Sequence, residues 1–367
     1  MKNILVVAGL LIILSPAAKG GNKVAEIVPS PGAAIPSGSS LAAPDKPTLP
    51  NASAPMGTLT PAGRWEVYPS PTRYHLTAVS FIDSDYGWAV GDVILKYENG
   101  TWSVFYQNPR YYFLDVDMVS RYDGWAISGD LSEDRYWIWR WNGIIWEIYQ
   151  ETEDPLFCID MVDRNYGWIG SNNGFYRFAG SRWVKYEGLT HSITGIFMET
   201  RNAGRAVGLT YILRCVGGSW FVEQHTTWDV NGIFVLSNGR AWACGSTGYH
   251  PQKDNGLLII HEAGWREYRQ FEEARCFYNM DFYGNNFGWC VGDRKNPYPY
   301  GAFLCYYNGI DWIEVNAPTN KGLRDVEIID YLNGWIVGVE GLILKYVPGP
   351  NTLVVPTSVG KIKTLFR

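Results

Sequence analysis

The chain has 367 residues, 31 Lys and Arg against 36 Asp and Glu, and a formal charge of -5. A sequence pI near 5.6 without a Lys/Arg cluster excludes the basic footprint of a nucleic-acid-binding protein. Aromatic residues make up 15% of the chain, and a repeat accounts for much of that share.

In chain order, Lys2, the apolar run Ile4–Leu14 and the small residues Ser15-Pro16-Ala17-Ala18 read as a signal peptide over residues 1–20. The run is too short to span a bilayer, and no later stretch is long and apolar enough to do so. The expectation is an exported bacterial protein, periplasmic, cell-surface or extracellular, without an integral span in the mature chain. Residues 21–61 are rich in Pro, Ala, Ser and Gly and nearly free of aromatics. Such a segment cannot bury enough surface to offset its ordering entropy, and it reads as a disordered tether.

From residue 62 to 349 one unit recurs seven times. Thirteen of the seventeen tryptophans fall at two of its positions. Trp88, Trp125, Trp168, Trp242, Trp289 and Trp335 sit in runs like Gly87-Trp88-Ala89-Val90-Gly91, and Arg205 fills that slot in copy four. Trp65, Trp102, Trp146, Trp183, Trp220, Trp265 and Trp312 follow glycine turns. The first series recurs every 37 to 47 residues, the period of a propeller blade.

Copy one shows how a unit becomes a blade. Ala78–Ile82 alternates as a half-exposed strand, and Asp83–Gly87 is a turn cluster. Gly87–Gly91 and Val93–Tyr97 are two further strands, and Asn99-Gly100 is a hairpin signal leading into an outer strand from Thr101. Copy seven ends without its Gly-x-Trp strand, and that strand appears ahead of copy one as Gly63–Tyr68. An open ring would leave two sheet edges exposed. The expected fold is therefore an all-β, seven-bladed propeller of the WD40/YVTN-like kind, its four-stranded antiparallel blades closed by residues 63–68. The tryptophans have a packing role here: second-strand rings fill the space between blades, and outer-strand rings cover the edges of their own blades. Residues 350–367 follow Pro348-Gly349-Pro350 as a C-terminal tail.

The run Gly87–Gly91 with Ile94-Leu95-Lys96-Tyr97, the run Gly288–Gly292, and Gly334–Gly338 with Gly341–Leu344 resemble the repeats of the photosystem II assembly and stability factor family. The resemblance covers residues 63–349 and implies an exported, assembly-factor-like binding scaffold on a propeller fold. Copies two, four and six depart from the family's Asp-Gly-Gly-x-Thr-Trp turn, as in Asn142-Gly143-Ile144-Ile145-Trp146.

No catalytic motif appears. The five histidines form no zinc spacing, and there is no nucleophile elbow, phosphate loop or dinucleotide fingerprint. Asp115, Asp117, Asp160, Asp281, Asp325 and Glu327 fall on first strands that line a propeller's channel. They read as solvated carboxylates, with a channel Ca2+ as the sharper alternative and no other cofactor implied. Cys290 and Cys305 could face each other across strands, Cys244 is placed in the Cys290 slot of copy five, and buried free thiols are the competing reading.

Loop insertions mark the candidate binding surface. Copies five and six carry Ser246–Asn255 and Asp293–Tyr300, which puts Tyr249, His250, Lys253, Arg294, Lys295, Tyr298 and Tyr300 on one ridge. Arg110, Tyr111, Trp228 and Arg275 lie on inter-blade connections of the same face. The expected function is a non-enzymatic scaffold that binds another macromolecule, a protein first. The alternatives are a carbohydrate-binding or glycoside-cleaving propeller and a purely structural cell-surface module.

Overall fold

The computed structural model describes residues 63–130, 133–248, 254–296 and 301–349, plus two short paired strands, Val6–Val7 and Leu10–Leu11. The rest of the signal segment, the tether and the tail lie outside the described residues. Among those described, no helix is long and apolar enough to cross a membrane.

Copy one folds as its pattern dictates. Leu76–Asp83, Tyr86–Gly91, Ile94–Glu98 and Thr101–Tyr106 pair antiparallel in sequence order. The second strand is buried at every position, as its unbroken apolar run requires. The outer strand buries Trp102 and leaves its neighbours Thr101 and Ser103 exposed. The motif's closing glycine has a steric cause. A Cβ on Gly91 would lie 2.0 Å from the His75 carbonyl oxygen, and one on Gly292 would lie 2.1 Å from that of Cys276. Only glycine lets the second strand pass so close to the start of the first.

The ring closes as expected. Gly63–Val67 pairs with Ile343–Pro348, with Trp65 opposite Tyr346, so the last sheet takes its outer strand from the start of the domain. The blade count differs from expectation: six propeller sheets form instead of seven. Five are four-stranded, and the sixth is a six-stranded sheet holding copies four and five together. Its strands Ala203–Val216 and Ser219–Val235 run unbroken through positions where other copies break, and Leu209 pairs with Asp229 across the former boundary. The connection between copies four and five carries no breaker, a trait it shares with Phe271–Ala274, where the sheets nevertheless separate. Four other connections contain proline (Pro69 and Pro71, Pro109, Pro155, Pro318), and a fifth contains Gly188. Gln224-His225-Thr226-Thr227-Trp228 has neither, and the two strands stay joined across it through a register shift that carries the pairing from His225 to Asp229.

Both tryptophan series are buried, but the outer series does more than cover its own edge. Each second-strand tryptophan meets the outer-strand tryptophan of the next copy edge-on. The pairs are Trp88 with Trp146, Trp125 with Trp183, Trp168 with Trp220, Trp242 with Trp312, Trp289 with Trp65, and Trp335 with Trp102. Their ring centroids are 5.3 to 5.7 Å apart and their interplanar angles 84 to 89°. T-shaped geometry sets the positive ring edge against the negative face. In copy four the odd residue keeps the contact: the Arg205 guanidinium lies 5.9 Å from the Trp265 ring centroid and pairs with Glu223 at 3.4 Å. The repeat thus encodes a continuous aromatic belt between copies.

Candidate binding face and central channel

The inner strands line a cavity of about 700 Å³ on the ring axis. Its carboxylates are neither solvated bystanders nor gathered ligands: they link one copy to the next. Asp325 and Glu327 accept the backbone N–H groups of Val79 and Phe81 at 2.8 and 2.6 Å. Asp115 and Asp117 do the same for Ile159 and Met161 at 2.8 and 2.6 Å. Asp160 accepts from Met198, and Asp281 accepts from Ile328. Residues two apart on a strand share a face, so an acid pair reaches alternate N–H groups of the neighbouring strand. Ser80 does this work toward Met118, and Asn231 donates instead to the Phe277 carbonyl at 2.9 Å.

This corrects the channel reading. The six acids are committed to backbone donors of the adjacent copy, and no group of three or more His, Cys, Asp or Glu among the described residues is arranged to hold a metal ion. Burial together with the Asp325 charge pushes the Asp115 carboxyl well above its ordinary range. Burial pushes Asp325 up to about 6, against the opposing hydrogen bonds from Val79 and Asn279. Across copies four to six, ring contacts accompany these polar links: Phe197, Phe234 and Phe282 follow one another at 4.6 and 5.0 Å.

On the loop face the structure brings part of the expected ridge together. Lys295 donates through Nζ to Asn255 Oδ1 at 2.6 Å, tying the copy-six insertion to the end of the copy-five one. Arg294 pairs with Glu314 and lies 4.7 Å over the Phe303 ring. Tyr249, His250, Lys253, Tyr298 and Tyr300 lie outside the described residues. Elsewhere on the face, Arg110 pairs with Asp130 and Glu133 and packs 5.6 Å from the Tyr111 ring centroid. Tyr111 itself packs edge-on against Trp139 at 5.1 Å, and Trp228 is half-buried on the core of copies four and five.

Arg275 is a correction. It is 7% exposed and belongs to a buried ion cluster beneath the face rather than to the face itself. It donates to Asp293 Oδ2 at 2.9 Å, and Arg324 donates to Asp293 Oδ1 at 2.7 Å. The Tyr278 hydroxyl donates to Asp293 at 2.8 Å, and the Arg324 guanidinium lies 4.5 Å from the Tyr278 ring centroid. Sequence reading missed Asp293, Tyr278 and Arg324 as a unit. The usable signal was Arg324 inside Leu323–Ile328, at the position where the copy-two and copy-three inner strands have Leu114 and Phe157.

A second buried acid lies nearby. Asp229 is 2% exposed, and its Oδ1 has no hydrogen-bond partner. Burial, with the Asp254 charge, raises its carboxyl to about 6. The folded value stands above an unfolded one near 3.9, so the stability this group contributes is fully present below about pH 4 and is lost as the pH rises through 6. Asp229→Asn, which cannot ionise, is expected to stabilise the protein by about 1–3 kcal/mol at pH 7.5 and to have little effect at pH 4. Urea midpoints at the two pH values check this, and an equal change at both would place the effect outside ionisation.

Comparison with known proteins finds likeness in fold. No family model matches the chain, and no curated protein sequence matches it. The structure "YCF48 bound to D1 peptide" superposes with a TM-score of 0.60 at 17% identity, over 82% of this chain and 99% of that one. YCF48 from Cyanidioschyzon merolae gives 0.58 at 16% identity, over 78% and 99%. The extracellular domain of a putative hybrid two-component system, BT3049 from B. thetaiotaomicron, gives 0.56 at 12%, over 78% of this chain and 42% of that one. The chain is thus a propeller similar in architecture to YCF48 and to the extracellular domain of the putative hybrid two-component system BT3049.

Proposed function

We propose that the chain is an exported, non-enzymatic propeller that holds another protein against its loop face, over the seam between copies five and six. The observation that carries this reading is the Lys295–Asn255 link. It joins the two longest insertions into one platform, with Arg294 and the Phe303 ring alongside. Loops carried by a rigid scaffold are the usual seat of recognition, and Arg with aromatic neighbours suits a protein surface. A structural neighbour solved with a bound peptide supports a protein partner as the ligand class. The N-terminal segment supports export, and the Pro/Ala/Ser/Gly-rich stretch after it would hold the ring clear of its attachment.

The test is site-specific photocrosslinking in envelope extracts of the native host. A photoreactive residue at Lys295 is expected to capture a protein that the same residue at Phe221, exposed on an outer strand, does not. Shortening Ser246–Asn255 is expected to abolish the adduct. Identical adducts from both positions would defeat the reading. A glycan-array hit with no protein adduct would replace it with carbohydrate binding.

A further inference from the structure

We propose that Cys244 and Cys290 form a redox pair that closes into a disulfide across the seam between copies five and six. All six cysteines are buried free thiols here, and four of them (Cys244, Cys276, Cys290 and Cys305) lie in these two copies. Cys244 is not in the slot of Cys290. It stands two residues after Trp242, whereas Cys290 stands one residue after Trp289. That offset of one turns the side chains to opposite faces of their strands. Cys244 therefore faces forward to copy six and Cys290 faces back to copy five, so both thiols enter the same interface. Both are fully buried in one cluster with Phe234, Leu258, Phe277 and Phe282. Cys305, the residue anticipated opposite Cys290, is its register partner within the same sheet, so a bond there would leave the seam unlinked.

The chemistry is thiol–disulfide exchange with a small disulfide or a dithiol oxidant in its disulfide form. One cysteine thiolate attacks the oxidant's S–S bond and releases a thiol. The second cysteine then attacks the mixed disulfide and releases the other thiol. Two protein S–H groups become one S–S bond, and the oxidant's disulfide becomes two thiols. Burial holds the Cys290 thiol well above its ordinary value, which disfavours the thiolate once the core is shut. Exchange therefore belongs to the stage before the two copies close on each other. The product locks the base of the loop ridge, since the copy-five insertion begins two residues after Cys244 and the copy-six insertion three after Cys290. This inference stands whether or not the ridge binds a protein.

The test produces the full chain twice, in a reducing cytosol and by export to an oxidising periplasm, and blocks free thiols after unfolding in acid. The exported protein is expected to gain two hydrogens in mass on reduction, to offer four blockable thiols instead of six before it, and to yield one linked peptide pair containing Cys244 and Cys290. Cys305→Ser should keep that link, and Cys244→Ser should lose it. Six free thiols in exported protein with native tryptophan fluorescence would overturn the proposal. So would a link between Cys290 and Cys305 in the unmutated chain.

Discussion

Asp293→Ala is expected to destabilise the protein by about 3–5 kcal/mol, because it leaves two buried guanidinium groups without their shared carboxylate. Asp293 has no exposed surface, Arg275 and Arg324 are 7 and 8% exposed, and both reach Asp293 within 2.9 Å. The cluster also spans a seam: Arg275, Tyr278 and Asp293 belong to copy six and Arg324 to copy seven. Its loss should loosen the contact between those two sheets as well as remove the carboxylate that both buried guanidinium groups reach. Asp293→Asn keeps the shape and one acceptor but removes the charge, and should fall between wild type and Asp293→Ala. Replacing the ions together, with Asp293→Leu, Arg275→Met and Arg324→Leu, should recover much of the loss, since apolar groups need no counter-ion. Urea denaturation followed by tryptophan fluorescence ranks the three. A wild-type midpoint for Asp293→Ala would show that the guanidiniums are adequately solvated without the carboxylate.

Much of this architecture is legible in the sequence because each repeat position answers to one local constraint. The Gly-Trp-x-Val-Gly run predicts a fully buried second strand, and its last glycine is fixed by a carbonyl 2.0 Å from where a Cβ would stand on Gly91. The displaced strand Gly63–Val67 predicts closure because an unpaired edge is a liability. What escaped depends on relations between copies rather than within them. Whether Asp115 meets a metal, water or the Ile159 N–H depends on the rotation of one sheet against the next, which no spacing reveals. The fusion of copies four and five has no distinguishing cue, since Gln224–Trp228 lacks Pro and Gly but so does Phe271–Ala274, across which copies five and six form separate sheets. Arg275 was misplaced for a related reason. Its neighbours Glu272 and Glu273 form an exposed turn, and one residue's advance along the strand carries the chain from solvent into the core.

Trp65→Ala tests the closure itself. Trp65 is 4% exposed and stands edge-on to both Trp289 and Tyr346 at 5.4 Å. Removing so large a ring from a close-packed site costs about 3–5 kcal/mol, the transfer and cavity terms together. Trp102 occupies the same repeat position, is equally buried and makes the same edge-on contact with Trp335, so Trp102→Ala should cost a similar amount. The two variants should differ in their effect on association. The Trp102 strand is joined on both sides to neighbouring strands of the ring, and a cavity there leaves the sheet paired. The Trp65 strand connects to other strands of the ring on one side only, toward Pro69, and is held to Ile343–Pro348 by its ladder and its tryptophan. Weakening that anchor frees the strand and uncovers the edge of Ile343–Pro348, a template for pairing with a second molecule. Trp65→Ala is therefore expected to form concentration-dependent oligomers at denaturant levels where Trp102→Ala stays monomeric, as read by light scattering below the unfolding midpoint. Equal association by both variants would mean that the edge is protected by contacts other than the closing strand, and that closure contributes stability without guarding against aggregation.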